Sequence, residues 1–106
     1  MRSFFKILPI LAVVLVLNHC SGALRDQIVE ASCGQCNLGL KKEGCDLAIR
    51  HKGKAYFVKG TGIDDHGDAH AEDGFCQRIR KARVSGRFEE GYFVADSFEL
   101  LPLESS

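Results

Sequence analysis

The alternation of apolar and polar residues along the chain predicts five short β-strands. Apolar residues recur at alternate positions in the segments 24–32, 45–50, 55–59, 83–88 and 92–101, a spacing that turns one face of a strand toward a core. Glycine-containing turns at 51–54 and 89–91 separate two pairs of these strands, as hairpins require. We expect the inward faces to include Val29, Ala31, Cys33, Cys45, Leu47, Ile49, Val84, Gly86, Phe88, Tyr92, Val94, Phe98 and Leu100.

One segment with a different period lies between the third and fourth predicted strands. Phe75, Ile79 and Ala82 are spaced by four and three residues, which is typical of an amphipathic helix, so we expect a short helix within 68–82. The predicted order is β-β-β-α-β-β, a mainly β (α+β) domain. This is the order of the OB-fold, a small five-stranded barrel with its helix between strands three and four. An open α+β sheet is the alternative.

The first 23 residues have the pattern of a secretory signal peptide. Arg2 and Lys6 precede an apolar run at 7–17, and small residues follow at 21–23, which are the three regions of an export signal. The apolar run is too short to cross a bilayer as a helix. We therefore expect a single mature domain at 24–106 that is exported to the periplasm or cell envelope.

Cys20 leaves a second mode of export open. Cleavage after Ala23 would release a soluble domain, whereas lipid attachment to Cys20, with Leu17 three residues before it, would anchor the domain to the membrane. The predicted mature domain has 12 basic and 14 acidic residues, a balance that attracts neither nucleic acid nor an anionic membrane surface. We expect no nucleic-acid partner, and membrane contact only through a lipid anchor at Cys20.

Four of the five cysteines lie in the predicted mature domain, together with two closely spaced histidines. Successive antiparallel strands reverse direction, so the end of the first strand, the start of the second and the end of the third lie at one end of the sheet. The sequence therefore predicts that six metal-ligating side chains gather at that end: Cys33, Cys36, Cys45, His66, His70 and Cys76.

The sequence leaves two main uses of these residues open. A Cys-x-x-Cys turn can direct two thiolates into one tetrahedral site, and cysteine with histidine favours zinc, or copper in an oxidising compartment. Alternatively, an even number of cysteines in a small exported domain is typical of disulfides. The shared parity of Cys33 and Cys45 favours their pairing and would leave Cys36 with Cys76, although four cysteines allow three pairings.

A third interpretation treats Cys33 and Cys36 as a redox-active pair. Such pairs lie at the N-terminus of a helix that lowers the thiol pKa, whereas the segment 37–44 contains two glycines and is too short for a long helix. Cys76 with either histidine could form a nucleophilic pair, but the sequence offers it no identifiable orienting group. We predict a non-enzymatic domain, with a thiol redox protein as the alternative.

Four short motifs resemble a family of small exported bacterial proteins of unknown function. The similar region spans residues 29–102 and contains Cys33-Gly-Gln-Cys36, Gly44-Cys45-Asp-Leu-Ala, His66-Gly-Asp-Ala-His70 and Asp73-Gly-Phe-Cys76. The resemblance implies a single small domain located in the bacterial envelope. It supplies no activity and no catalytic residue.

Overall fold

Five β-strands close into a small barrel in the computed structural model, which describes residues 22–103. The elements are β1 Ala23–Cys33, α1 Gly34–Asn37, β2 Leu47–His51, β3 Lys54–Lys59, β4 Arg80–Glu89 and β5 Tyr92–Leu100. Their order around the barrel is β1-β2-β3-β5-β4, and β4 pairs with β1 to close it. β3 and β5 are parallel, and the other neighbours are antiparallel. The predicted mainly β barrel is confirmed, and it is compatible with an OB-like fold.

Residues 1–21 of the predicted signal peptide, including Cys20, lie outside the described residues. β1 begins at Ala23, the last residue of that predicted leader. Within residues 22–103, no helix is long and apolar enough to cross a membrane.

Alternate residues of the strands fill the barrel. Val29 and Ala31 of β1, Ile49 of β2 and Val84 of β4 are at most 5% exposed, and they belong to one apolar core together with the fully buried Phe93 of β5. Full burial of one of the larger side chains contributes about 2 kcal/mol to folding. The inward parity predicted for β1, β4 and the observed part of β2 is therefore confirmed. The predicted inward position of Cys45 is wrong, because β2 begins only at Leu47 and Cys45 is an exposed loop residue.

The inward face of β5 differs from the prediction because β5 contains a β-bulge. Its pairing with β4 skips Asp96, and such an extra residue moves the side chains on either side of it out of phase. Phe93, rather than the predicted Tyr92 and Val94, therefore belongs to the core. Phe98, which follows the bulge, packs against the core as predicted.

The helix predicted within 68–82 does not form, and the one helix among the described residues is the single turn α1. The segment 60–79 consists mainly of turns and bends instead, with one isolated β-bridge. At Gly74 the backbone folds so closely that a Cβ would lie 2.3 Å from two carbonyl oxygens, those of Asp68 and Ala69. The end of the predicted helix belongs to β4, which extends back to Arg80 through its pairing with β1.

Gly86 of β4 permits a close contact with β5 that no other residue could make. A Cβ at this position would lie 2.2 Å from the carbonyl oxygen of Val94 and 2.8 Å from the Phe93 ring. We expect Gly86→Ala to lower the free energy of unfolding by about 3 kcal/mol, because the overpacked strands must separate. Denaturant titration measures this loss.

Gly62→Ala provides the matched control for this prediction. A Cβ at Gly62 would meet its nearest atom, a carboxylate oxygen of Asp65, at an ordinary contact distance of 3.5 Å. We expect this variant to change the free energy of unfolding by less than about 1 kcal/mol. Equal losses of unfolding free energy in the two variants would show that the close contact between β4 and β5 does not require glycine at position 86.

Candidate metal centre

The side chains of four cysteines meet at the end of the barrel where β1 ends and β2 begins. The Sγ atoms of Cys33, Cys36, Cys45 and Cys76 all lie within 4.8 Å of one another, and we refer to these four residues as the cysteine cluster. Cys33 ends β1, Cys36 lies in α1, Cys45 precedes β2 and Cys76 lies in the turn segment before β4. Four cysteines this close together could hold a metal ion.

The sulfur spacing fits a tetrahedral thiolate site. With metal–sulfur bonds of about 2.3 Å, the sulfurs of such a site lie about 3.8 Å apart, and the Cys36 and Cys45 sulfurs are separated by 3.7 Å. All four cysteines of the cluster are free thiols in the structure. The disulfides predicted as the alternative, Cys33 with Cys45 and Cys36 with Cys76, are therefore absent among the described residues.

The turn of α1 positions the first two sulfurs. Cys33 caps this turn, and its sulfur accepts a hydrogen bond from the backbone N–H of Cys36 at 3.2 Å. A Cβ at Gly34 would lie 2.8 Å from the Phe57 ring and 3.0 Å from the Cβ of Ala48. Because glycine leaves this space free, the turn packs directly against β2 and β3, which fixes it relative to the barrel.

Gln35, inside the turn, holds the chain segment that carries Cys45. Its side-chain oxygen accepts a hydrogen bond from the backbone N–H of Asp46 at 2.9 Å, and its amide donates to the Asp46 carboxylate at 2.8 Å. The backbone N–H of Gly34 adds a bond to the Asp46 carbonyl oxygen at 2.8 Å. The hydrogen bond from Gln35, assisted by Lys42 and opposed by desolvation, lowers the pKa of Asp46, which keeps the acceptor charged.

The carbonyl oxygen of Phe75 holds Cys76 beside the turn. It accepts hydrogen bonds from the backbone N–H of Cys33 at 3.0 Å, the hydroxyl of Ser32 at 2.7 Å and the side-chain amide of Asn37 at 3.0 Å. Ser32 is fully buried, so water cannot replace a lost partner, and an unpaired polar group there costs about 1–3 kcal/mol. These bonds fix the backbone next to the fourth cysteine.

The two predicted histidines are not part of the cysteine cluster. His66 is half-buried, with its Nε2 atom 2.9 Å from the Thr61 hydroxyl and its ring 4.7 Å from that of Phe98. Burial lowers the pKa of His66, and the charge of Asp65 opposes this effect. His70 is exposed. Of the six predicted ligands, the structure brings together the four cysteines.

The thiols differ in acidity. Burial tends to raise the pKa of Cys33, but hydrogen bonds with Cys36, Cys45 and the backbone of Gln35 together outweigh burial, and the pKa is lowered overall. The hydrogen bond with Cys33, together with burial, raises the pKa of Cys36 to about 12. Burial and a hydrogen bond with Cys45 raise the pKa of Cys76 to about 11.

The pKa values of these thiols do not favour the alternative in which Cys33 and Cys36 form a redox-active pair. A reactive cysteine combines a lowered pKa with an accessible sulfur. Here the thiol with the lowered pKa, Cys33, has no exposed surface, whereas the exposed thiol, Cys36, has a raised pKa.

The polar side chains that position the cysteines were not among the residues predicted from the sequence. They share one feature, which is that each is the immediate sequence neighbour of a cluster cysteine: Ser32, Gln35, Asn37 and Asp46. Hydrogen-bonding residues directly beside potential ligands were therefore the signal available in the sequence.

Comparison with known proteins connects the chain to a family. The curated proteins and the solved structures each give no match. The model of a family of unknown function (DUF6370) matches residues 27–101, a region that contains the whole cysteine cluster. Because this region is more than half of the chain, the protein belongs to that family of unknown function.

Proposed function

We propose that the protein is a small non-enzymatic zinc-binding domain, in which the metal ties two loops to the end of the barrel. The observation that supports this most directly is the group of four sulfurs within 4.8 Å of one another. Four thiolates in a tetrahedral arrangement favour zinc, and copper(I) is the alternative metal. Four protein ligands fill the coordination shell of a structural zinc and leave no open position for a substrate.

Zinc would join three parts of the chain that are distant in sequence. Cys33 ends β1 and Cys36 lies in the turn that follows it, Cys45 belongs to the loop 38–46, and Cys76 belongs to the turn segment 60–79. In the smallest zinc-dependent domains, metal binding supplies about 10 kcal/mol of folding free energy. This barrel buries a core of its own, so we expect zinc to order the loops and to add stability without being required for the strands to pair.

We also propose that the domain acts in the bacterial envelope. The support is the leader pattern at 1–23 and the resemblance carried by the sequence motifs. The intact mass of the protein isolated from its native host tests this location. A chain beginning at Leu24 indicates cleavage, a lipid on Cys20 indicates anchoring, and a chain that retains Met1 contradicts export.

Mass measurement under native conditions tests the metal site. We expect one zinc per chain, because the four sulfurs form a single group. Cys76→Ser should lose the zinc, and His70→Ala should keep it, because His70 lies outside the cysteine cluster. Removing zinc with a chelator should lower the midpoint of thermal unfolding by at least about 5 °C.

Two outcomes of this measurement would contradict the proposal. Copper or iron in the protein from its native host would show that zinc is the wrong metal. Full oxidation of the four mature cysteines in that protein would show that they form disulfides and not a thiolate site.

Gln35→Ala should weaken zinc binding although Gln35 is not a ligand. The change removes the hydrogen bonds that hold Asp46, and therefore Cys45, in place. Loss of a group that orients a ligand typically lowers metal affinity by about tenfold or more, which competition with a chromophoric chelator measures. Gln77→Ala is the matched control, because Gln77 also adjoins a cluster cysteine but its side chain is exposed. Equal affinities in the two variants would contradict this role of Gln35.

Zinc binding should release protons, and the affinity should therefore rise with pH. In the metal-free protein, the pKa values of about 12 for Cys36 and about 11 for Cys76 keep both thiols protonated at neutral pH. Zinc binds thiolates, so at least about two protons must leave per zinc. Calorimetry in buffers of different ionisation enthalpy counts them, and release of fewer than one proton per zinc would be inconsistent with a thiolate site.

A further inference from the structure

We propose that Cys36 and Cys45 are an oxidisable pair, and that their disulfide, formed by hydrogen peroxide or an organic hydroperoxide, expels the metal. The inference rests on the zinc site proposed above and makes the same cluster a site of thiol modification. It differs from the redox interpretation of the sequence, which paired Cys36 with Cys33.

The four cysteines are unequally accessible to an oxidant in solution. Cys36 and Cys45 are exposed, Cys76 is partly buried, and Cys33 is buried. Oxidation of a thiolate requires the oxidant to reach the sulfur. The two sulfurs that peroxide reaches first are therefore those of Cys36 and Cys45, and these are neighbours.

Little movement is needed to join this pair. Their sulfurs are 3.7 Å apart, and a disulfide brings two sulfurs to about 2.05 Å. The segment 41–45 is exposed throughout, and Gly44, which precedes Cys45, has a positive φ of 96°. This loop can move toward α1 without disturbing the barrel. Cys33, by contrast, is held by its pairing with Leu47 of β2 and by the hydrogen bond from its N–H to the Phe75 carbonyl.

The oxidation proceeds in two balanced steps. Zinc binding would hold Cys36 as a thiolate. This thiolate attacks one peroxide oxygen, the O–O bond breaks, and the products are the sulfenic acid of Cys36 and hydroxide, or an alkoxide where the oxidant is an organic hydroperoxide. The thiolate of Cys45 then attacks the sulfenic sulfur, forming the S–S bond and releasing hydroxide. The two thiolates together lose two electrons, which the peroxide gains, and the two released anions take up protons from the buffer.

The disulfide removes two of the four zinc ligands. Cys33 and Cys76 alone cannot form a closed tetrahedral site, so zinc leaves as the divalent ion and these two cysteines remain reduced. The barrel core and the bonds to the Phe75 carbonyl do not involve these sulfurs. We therefore expect the oxidised protein to be metal-free and still folded.

Peroxide treatment of the zinc-loaded protein tests the proposal, with zinc release followed by a chromophoric chelator. Trypsin cleaves after Lys41 and Lys42, so Cys36 and Cys45 fall in separate peptides, 26–41 and 43–50. We expect these peptides to be joined through Cys36, with Cys33 and Cys76 still open to alkylation, and we expect one zinc released per disulfide formed. Fragmentation of the joined peptides distinguishes Cys36 from Cys33.

Two histidine substitutions form a matched pair for this experiment. Cys45→His and Cys76→His each leave a site of three cysteines and one histidine, which zinc accepts. Only Cys76→His retains the proposed oxidisable pair. Rapid peroxide-dependent release should therefore be lost in Cys45→His and retained in Cys76→His. Equal protection in both variants would overturn the assignment of the pair.

Further outcomes separate this inference from the zinc proposal. A first disulfide between any other two cysteines, or sulfinic acids without a disulfide, would overturn the inference and leave the zinc site standing. Absence of bound zinc before treatment would overturn the zinc proposal and the metal-release part of this inference. The peroxide treatment would then be repeated at alkaline pH, because without the metal the raised pKa of Cys36 keeps its thiol protonated near neutral pH. Disulfide mapping would still test the pair, because the exposure and proximity of Cys36 and Cys45 do not depend on the metal.

Discussion

The hydrogen bonds accepted by the carbonyl oxygen of Phe75 determine where the cysteine cluster forms. β4 pairs with β1 only as far as Ala31, opposite Arg80, so the backbone of β1 beyond that point needs another partner. Phe75 provides it for the N–H of Cys33, while its own side chain is buried in the core. One residue therefore completes the end of the barrel and brings Cys76 to the other three cysteines.

The barrel and the loops at its end depend on different interactions. Continuous strand pairing and the apolar core hold the barrel together. The turn segment 60–79 has a second anchor in Arg80, which is 8% exposed and whose guanidinium donates to the backbone carbonyls of Asp73 and Leu101. The loop before β2 depends instead on Gln35. These bonds bring the sulfurs close together before a metal arrives, which reduces the ordering that zinc must impose.

The sequence predicted the features that follow from strand alternation and chain direction. The prediction failed where contacts between residues far apart in the sequence determine the structure. The barrel and the meeting of the cysteines belong to the first group. The predicted helix does not form, although Phe75 and Ala82 are spaced for one helical face. Phe75 enters the core from the turn segment 60–79 and Ala82 from β4, and Ile79 between them is 38% exposed. The contact between Ser32 and Phe75 spans 43 positions, which no local pattern reveals.

X-ray absorption spectroscopy of the zinc-loaded protein tests most directly whether the four cysteines form one metal site. It identifies the atoms bound to the metal and measures their distances. The predicted result is four sulfur atoms at about 2.3 Å, because the four Sγ atoms already lie within 4.8 Å of one another. Nitrogen at about 2.0 Å would instead place His66 or His70 at the metal and contradict a site formed by the cysteines alone.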